Sequence, residues 1–236
     1  MLDAALWNGL GYPALVVVLG YCVFGLTGFG SALVIIPLLS WQWPLSAIVP
    51  MVLLLDIPAS IAHTVLNLKH VRWTLVPKVM PFAIVGAWLA SMAHAWGDSA
   101  WALSVLGLYI CWVAARGLRG QNQRFEPSSP WVNSMAGTLM GLIETLFGTA
   151  GPVVMAWLTR QERKIEDVRA TAPLLILITV CIALFSNGLS GRSDMDQVLS
   201  QTLWLAPMAV LGGWLGHRFN ARIQPVTARN TVHAVL

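Results

Sequence analysis

The chain has 236 residues, of which 57% are hydrophobic and only 10% are charged, and its mean hydropathy is +0.70. Soluble domains carry roughly 25% charged residues, so this composition excludes an ordinary soluble protein and predicts an integral membrane protein. The net charge of +4 does not indicate nucleic-acid binding, because the basic residues lie in short loops between apolar runs, where they orient a protein in the bilayer.

Eight apolar segments follow one another along the chain. Most are about 20 residues long, which is typical of transmembrane helices and not of barrel strands. The N-terminus carries Asp3 and no basic region, so no secretory signal is expected and the first segment stays in the mature protein. The segments are 12–39, 45–68, 75–95, 100–115, 131–158, 170–188, 198–219 and a stub from 226, interpreted as a short or truncated eighth helix.

Two of these segments contain a glycine-rich interruption. Gly25–Pro37 reads GLTGFGSALVIIP, and Phe147–Pro152 reads FGTAGP. Glycine inside a helix costs about 1 kcal/mol relative to alanine, so both segments are predicted to break there. In lipid a break is tolerated only where the freed backbone groups are buried in protein or line a cavity. Two breaks in matched positions therefore predict a substrate site near the middle of a transporter.

The two halves of the chain resemble each other beyond these interruptions. An offset of 120 residues places Gly28 on Gly148 and Asn67 on Asn187, and an offset of 126 places the stretch from Pro81 on that from Pro207. Residues 116–130 form a polar stretch of linker composition. We therefore predict a first repeat at 1–120, a cytoplasmic linker at 121–130 and a second repeat at 131–236, each about the size of a transporter half.

The positions of the basic residues distinguish two topologies. If all eight segments cross the membrane, the 14 Lys and Arg divide equally between its faces. If the first and fifth segments return to the face they entered from, 13 of the 14 share one face, which the positive-inside rule makes cytoplasmic. The predicted fold is thus all-α, with two inverted repeats, each a glycine-broken re-entrant hairpin followed by three transmembrane helices. Tilted, kinked helices that span the bilayer are the alternative.

The breaks are also the predicted substrate site. A helix start offers free N–H donors and about half a positive charge, so two facing starts predict an anion site without a buried Lys or Arg. Close helix packing is the alternative role of the glycines, and helix capping that of the asparagines. The residues expected to bind the anion are Gly28, Phe29, Gly30, Ser31, Asn67, Gly148, Thr149, Ala150, Gly151, Pro152 and Asn187.

Four ionisable residues are further candidates. Asp56 and Glu144 lie within apolar runs, where charge is expensive and usually functional, so either could carry a proton coupled to anion movement. His63 lies on the same helical face as Asp56 and could join it. A neutral, hydrogen-bonded structural carboxyl is the alternative for both acids. Arg169 is expected either to attract anions at the cytoplasmic mouth or to anchor the topology.

These motifs together resemble the sulfite exporter TauE/SafE family of membrane permeases. The resemblance rests on GLTGFGSALVIIPLL, FGTAGPVV, VRAT and the paired P-x-A-x-x-G-x-W-L stretches, and it covers nearly the whole chain. It implies a multi-pass bacterial inner-membrane carrier that exports sulfite or small organosulfonates, driven by a proton or the membrane potential. Thr149–Ala150 is less rich in glycine than the family pattern. The family's breaks map onto Gly28, Gly30, Ser31, Gly148, Gly151 and Pro152.

Two other functions stay open on the residues alone. A passive anion channel would show no coupling to pH. A membrane enzyme or sulfur-relay protein would use Cys22 and Cys181, but no metal-ligand spacing accompanies them; the cysteines are expected to be buried small residues, and neither enzyme activity nor a cofactor or metal is expected. The expected partners are a small anion and the lipid bilayer, without nucleic acid. The oligomeric state is left open, a homodimer included.

Overall fold

The computed structural model describes residues 11–94, 104–105, 107–112, 115, 129–162, 164–189 and 195–233, without the side chains of 165, 189, 195, 197 and 220–233. Within these ranges every regular element is helical. Two short 3-10 turns, Leu68–His70 and Trp73–Leu75, lead from the third helix to the fourth. The helices are α1 (Tyr12–Thr27), α2 (Ser31–Leu39), α3 (Leu45–Leu66), α4 (Val76–His94), α5 (Pro130–Phe147), α6 (Gly151–Gln161), α7 (Ile165–Leu189) and α8 (Met195–His233).

The first apolar segment is a hairpin and not a rod. Helix α1 ends at Gly28, which has a φ of 83° and donates its N–H to the Phe24 carbonyl at 2.7 Å. Gly30, with a φ of 94°, then precedes α2. Only glycine adopts such angles without strain, so these two residues fix the turn. The Tyr12 hydroxyl donates to the Leu38 carbonyl at 2.8 Å, which places the beginning of α1 beside the end of α2.

The fifth segment folds back in the same way. Helix α5 ends at Gly148, with a φ of 60°, and α6 begins at Gly151. The Trp157 indole N–H in α6 donates to Asn133 Oδ1 in α5 at 3.0 Å, so the outer ends of the two arms are adjacent. Ala150 has an ordinary helical φ of −67°. A single left-handed glycine is therefore enough for this turn, and the lower glycine content at Thr149–Ala150 is compatible with it.

Four helices are long and apolar enough to cross a membrane, as far as the described ranges go. They correspond to the second, third, sixth and seventh predicted segments, and neither arm of either hairpin is among them. A bilayer span needs about 20 residues, whereas α1 has 16 and α2 has 9. In the residues that the structure describes, the chain is all-helical, and its four long apolar helices are those of an integral membrane protein. The four stretches are Leu45–Leu66, Trp73–Met92, Glu166–Gly188 and Val198–Phe219.

The long arm of each hairpin packs closely on a helix of the other half. A Cβ at Gly212 in α8 would overlap the Val18 carbonyl oxygen in α1, and a Cβ at Gly86 in α4 would overlap the Thr138 carbonyl oxygen in α5. Each pair is related to the other by the sequence offsets of 126 and 120 residues. These two glycines allow close helix packing. In a membrane, helices associate through such van der Waals contacts because the hydrophobic effect does not drive them together in lipid.

One predicted boundary is wrong. Helix α8 continues from Met195 to His233, so the stub from 226 is not a separate element from the seventh segment. The boundary was placed where apolarity falls after Phe219, but loss of apolarity ends a membrane span without ending a helix, whose backbone hydrogen bonds are made within itself. Residues 121–128 of the predicted linker and most of the fourth segment lie outside the described residues, and α5 begins at Pro130; helical backbone is seen at 104–105, 107–112 and 115.

Candidate functional site

The two helix breaks lie against each other. Gly151, the first residue of α6, faces the ring of Phe29 in the first break so closely that an added Cβ would lie 2.9 Å from Phe29 Cδ2. Between the breaks lies a cavity of about 10 Å³, roughly the room needed by one water molecule. It is too small for a sulfur oxyanion in this structure. Its lining from the breaks is Gly30, Ser31, Gly148, Thr149, Gly151 and Pro152, and Phe24, Ala32, Leu33, Asp56, Glu144 and Ile176 complete it.

At the first break, a carboxyl group of another helix accepts hydrogen bonds from both arms of the hairpin. Asp56 of α3 is only 3% exposed, and its Oδ1 accepts hydrogen bonds from the Tyr21 hydroxyl at 2.7 Å and from Ser31 Oγ at 2.8 Å. Ser31 is the first residue of α2, and Tyr21 lies in α1. Asp56 therefore connects both arms of the hairpin to α3, and both of its donors are neutral hydroxyl groups.

At the second break, a carboxyl group of the same hairpin accepts a hydrogen bond from the backbone. Glu144 of α5 is 1% exposed, and its Oε2 accepts the Ala150 N–H at 2.6 Å. Its other oxygen, Oε1, is buried without a hydrogen-bond partner among the described residues, as is Thr149 Oγ1. The Ala150 N–H at the start of α6 is thus hydrogen-bonded to Glu144, whereas Glu144 Oε1 and Thr149 Oγ1 have no partner among the described residues.

Tyr109 and Arg169 support the two breaks from outside the hairpins. The Tyr109 hydroxyl, in the helical stretch 107–112, donates to the Thr149 carbonyl at 3.1 Å. Arg169 of α7 donates through Nη2 to the Leu26 carbonyl at 2.8 Å, near the end of α1. A cation at a helix C-terminus is favourable, because the last carbonyls there carry partial negative charge. Arg169, expected either to attract anions at the cytoplasmic mouth or to anchor the topology, lies beside the end of α1 at the first break.

Both predicted asparagines lie at helix ends, away from the cavity lining. Asn67 Nδ2 donates to the His63 carbonyl at 2.8 Å, which is the capping alternative at the end of α3. Asn187 Nδ2 lies 3.5 Å from the Thr145 carbonyl of α5. Neither side chain lines the cavity, but the contact with Thr145 places Asn187 at the last turn of α5, beside the second break.

His63 is separated from Asp56 and lines a different cavity. That cavity, of about 330 Å³, lies between α1, α3 and α8 and is mostly apolar. The His63 ring packs edge-on against Phe24, with centroids 5.7 Å apart, and against His217 at 6.4 Å. Phe24 lines both cavities and stands between them. The shared helical face of Asp56 and His63 does not translate into a shared site.

The turn between α3 and α4 is attached to the beginning of α7. Arg72 contacts Asp167 Oδ2 through Nη2 at 2.7 Å and Nε at 3.0 Å, and its backbone N–H donates to Thr171 Oγ1 at 3.0 Å. The hydrogen bond to Asp167 raises the pKa of the Arg72 guanidinium, which therefore stays charged. This contact joins a basic loop of the first half to the segment of α7 that carries Arg169.

The chain is similar in sequence to known proteins over most of its length. A family model described as sulfite exporter TauE/SafE matches residues 13–236. The chain belongs to this family. A probable inner membrane transporter protein, TsaS of Comamonas testosteroni, is 34% identical over 186 residues, covering 79% of this chain and 78% of its own. A probable sulfite/organosulfonate exporter, TauE of Cupriavidus necator, is 24% identical over 222 residues, covering 89% of this chain and 84% of its own. No solved structure matches it.

This TauE/SafE member is a multi-pass membrane transporter of the bacterial inner membrane. The family assignment confirms the resemblance inferred from the motifs. The hairpins also depend on residues that the sequence analysis did not single out. Each of the three tyrosines of the chain, Tyr12, Tyr21 and Tyr109, holds a hairpin or a break through its hydroxyl. A tyrosine inside an apolar run is the sequence feature that could have identified them, because a buried hydroxyl group in a membrane needs a hydrogen-bond partner.

The cysteines of this transporter are not buried as predicted. Cys111 and Cys181 are exposed, and Cys22 is half-buried. A helix of a membrane protein is apolar on its lipid-facing side as well as its packed side, so an apolar run does not reveal which of its residues are buried. The sulfur-relay alternative gains no support from a cysteine at the cavity between the breaks, whose described lining contains none.

Proposed function

We propose that this TauE/SafE transporter is a secondary carrier that exports a small sulfur oxyanion or organosulfonate. The name of the Cupriavidus relative, a probable sulfite/organosulfonate exporter, supports the substrate class. The observation that carries the proposed site is the meeting of the two breaks, with the beginnings of α2 and α6 lining one cavity. The residues of the breaks that line this cavity would hold the anion, with Gly28, Phe29 and Ala150 shaping the turns beside it: Gly30, Ser31, Gly148, Thr149, Gly151 and Pro152.

The proposed site binds through neutral donors. Two helix starts supply N–H groups and partial positive charge, Thr149 supplies a hydroxyl group, and Ser31 would supply one on leaving Asp56, to which it donates in this structure. The described lining of the cavity contains no Lys or Arg. An anion held by neutral groups can leave again, whereas a charged cage would retain it, and transport requires release.

We further propose that the two hairpins enter the membrane from opposite leaflets, as inverted repeats with cytoplasmic basic loops. The reciprocal packing of Gly212 on Val18 and Gly86 on Thr138 supports a two-fold relation between the halves. In such a carrier the halves rock around a fixed central site, and the small cavity is the closed form between the two access states. Asp56 and Glu144, buried at this site, would couple anion movement to protons.

Transport in proteoliposomes tests this proposal. The purified chain is supplied with sulfite, thiosulfate, sulfoacetate and taurine under a pH gradient, with acetate as a carboxylate control. Gly28→Leu and Gly148→Leu should abolish transport of the preferred anion, because both positions need a left-handed backbone that a side chain strains. Gly188→Leu is the matched control, since a Cβ at Gly188 meets no atom within 4 Å. Wild-type transport by both break variants would refute the central site.

A further inference from the structure

We propose that Glu144 is a tethered competitor of the transported anion: its carboxylate holds the donor of the second break, and the anion enters only after Glu144 has taken up a proton. This inference rests on the proposed function and concerns the same site. It assigns a specific role to one of the two buried acids and predicts which one sets the pH dependence of binding.

The hydrogen bonds at the second break support this role. The backbone carbonyl of Glu144 accepts the Gly148 N–H at 2.7 Å, and its side-chain Oε2 accepts the Ala150 N–H at 2.6 Å. One residue therefore holds amides on both sides of Thr149. The Ala150 amide lies at the start of α6, where the helix favours negative charge. Glu144 thus occupies a position at which an external anion would gain the same interaction.

Unpaired atoms distinguish this arrangement from a simple helix cap. Glu144 Oε1 and Thr149 Oγ1 have no hydrogen-bond partner in the described part of the chain, although both residues are at least nine-tenths buried and line the cavity. A buried polar atom without a hydrogen-bond partner is destabilising, so such atoms favour a site that a ligand can enter. Asp56 differs, because its Oδ1 accepts two hydroxyl groups. The cavity beside Glu144 is therefore equipped to receive further hydrogen-bonding atoms.

The charges around Glu144 explain why binding would require a proton. Asp56 lines the same cavity as Glu144, and the Tyr109 hydroxyl donates a hydrogen bond to the Thr149 carbonyl. No cation lines the described cavity, so a carboxylate and a bound anion would repel each other at short range in a medium of low dielectric constant. The other ionisable side chains of the helices packed on α5 and α6 are His63 on α3, Lys78 and His94 on α4, Arg160 on α6, and Glu166, Asp167, Arg169 and Cys181 on α7.

Proton uptake by Glu144 removes this repulsion and converts an acceptor oxygen into a donor. The neutral carboxyl can then turn away from Ala150, which frees the amide for the anion, and can itself donate to an anion oxygen. Release of the anion reverses the exchange, and the carboxylate returns to the amide as the proton leaves to water. One proton is thereby taken up for each anion bound.

Anion binding at several pH values tests the inference. The probe is radiolabelled methanesulfonate, whose own charge is constant over the range, and binding to the detergent-purified full chain is measured from about pH 5 to about pH 9. For the wild type, affinity should fall with rising pH, by up to about tenfold per pH unit, because one proton is linked to binding. Glu144→Gln should bind as tightly as the wild type at low pH and show no pH dependence. Glu166→Gln, at an exposed acid of α7, should behave as the wild type.

Specific outcomes overturn the inference. Glu144→Gln that keeps the wild-type pH slope, or that binds more weakly than the wild type at every pH, shows that Glu144 is only a helix cap. Should this variant not fold, Glu144→Asp replaces it: its shorter side chain competes less well for the Ala150 amide, so it should bind methanesulfonate more tightly than the wild type at high pH, and equal binding overturns the proposal. A wild type that binds no sulfonate at any pH refutes the proposed function itself.

Discussion

The two helix breaks differ in how their backbone and polar groups are satisfied. The first break uses two left-handed glycines, Gly28 and Gly30, and its helix start is tied to Asp56 of another helix. The second uses one left-handed glycine, Gly148, and its helix start is tied to Glu144 of its own hairpin. The two breaks therefore have similar turns but different hydrogen-bond partners, because the carboxyl group comes from another helix at the first break and from the same hairpin at the second.

The difference suggests a division of roles. The first break is connected to two other helices, to α3 through Tyr21 and Ser31 on Asp56 and to α7 through Arg169 on the Leu26 carbonyl. At the second break, Glu144 Oε1 and Thr149 Oγ1 remain without hydrogen bonds among the described residues. We expect the first break to be the more rigid one and the second to carry the exchange of protons and anions.

The largest expected effect concerns the side of the membrane on which each hairpin ends. Gln42 follows the first hairpin and Glu162 the second, at equivalent places in the two halves. With the native cysteines replaced, Gln42→Cys should react with an impermeant thiol reagent added to whole cells, and Glu162→Cys should react only after the cells are opened, because inverted repeats put these loops on opposite faces. Equal labelling of both positions in intact cells would contradict the inverted topology.

The next effect concerns the contact between the breaks. Gly151→Val places a side chain where the Phe29 ring lies, and displacing that ring should cost about 1–3 kcal/mol and reduce transport in proteoliposomes by at least about tenfold.

Phe29→Ala combined with Gly151→Val makes room again and should restore much of the rate. Gly188→Val, in open space at the end of α7, controls for the effect of valine on a helix. No recovery in the double variant would show that the two breaks do not act through this contact.

The smallest effect compares two tyrosines of α1. Tyr21→Phe leaves the buried Asp56 with one donor fewer and should lower the free energy of unfolding by about 1–3 kcal/mol, whereas Tyr12→Phe removes an exposed hydrogen bond to Leu38 and should cost about 1 kcal/mol or less. Thermal unfolding in detergent measures both. An equal loss for the two variants would mean that Asp56 does not hold the first break.

Local chemistry made the elements of this fold predictable. Gly28, Gly30 and Gly148 mark the breaks because left-handed backbone needs glycine, and span lengths follow from bilayer thickness. The approximate extents of α3, α4 and α7 were therefore predictable. The continuation of α8 past Phe219 was not, because a polar sequence can remain helical outside lipid.

Side-chain partners were much less predictable than the elements. Asn67 and Asn187 match in sequence, yet their partners differ, because Asn67 donates to the His63 carbonyl of its own helix and Asn187 to the Thr145 carbonyl of α5. Asp56 and His63 share a helical face, yet Phe24 stands between their cavities. The pairing of Glu144 with Ala150 depends on the chain turning back on itself, which periodicity does not describe.

The amino-acid sequence by itself determined that the chain is a membrane protein, where its helices break and which family it resembles, because composition, glycine content and motif order are properties of short stretches. The tertiary structure decided that the two breaks meet, that Asp56 and Glu144 accept hydrogen bonds at these breaks, and that the cavity between the breaks is too small for a sulfur oxyanion. These facts depend on distances between residues up to more than 100 positions apart, such as Phe29 and Gly151, which only packing brings together.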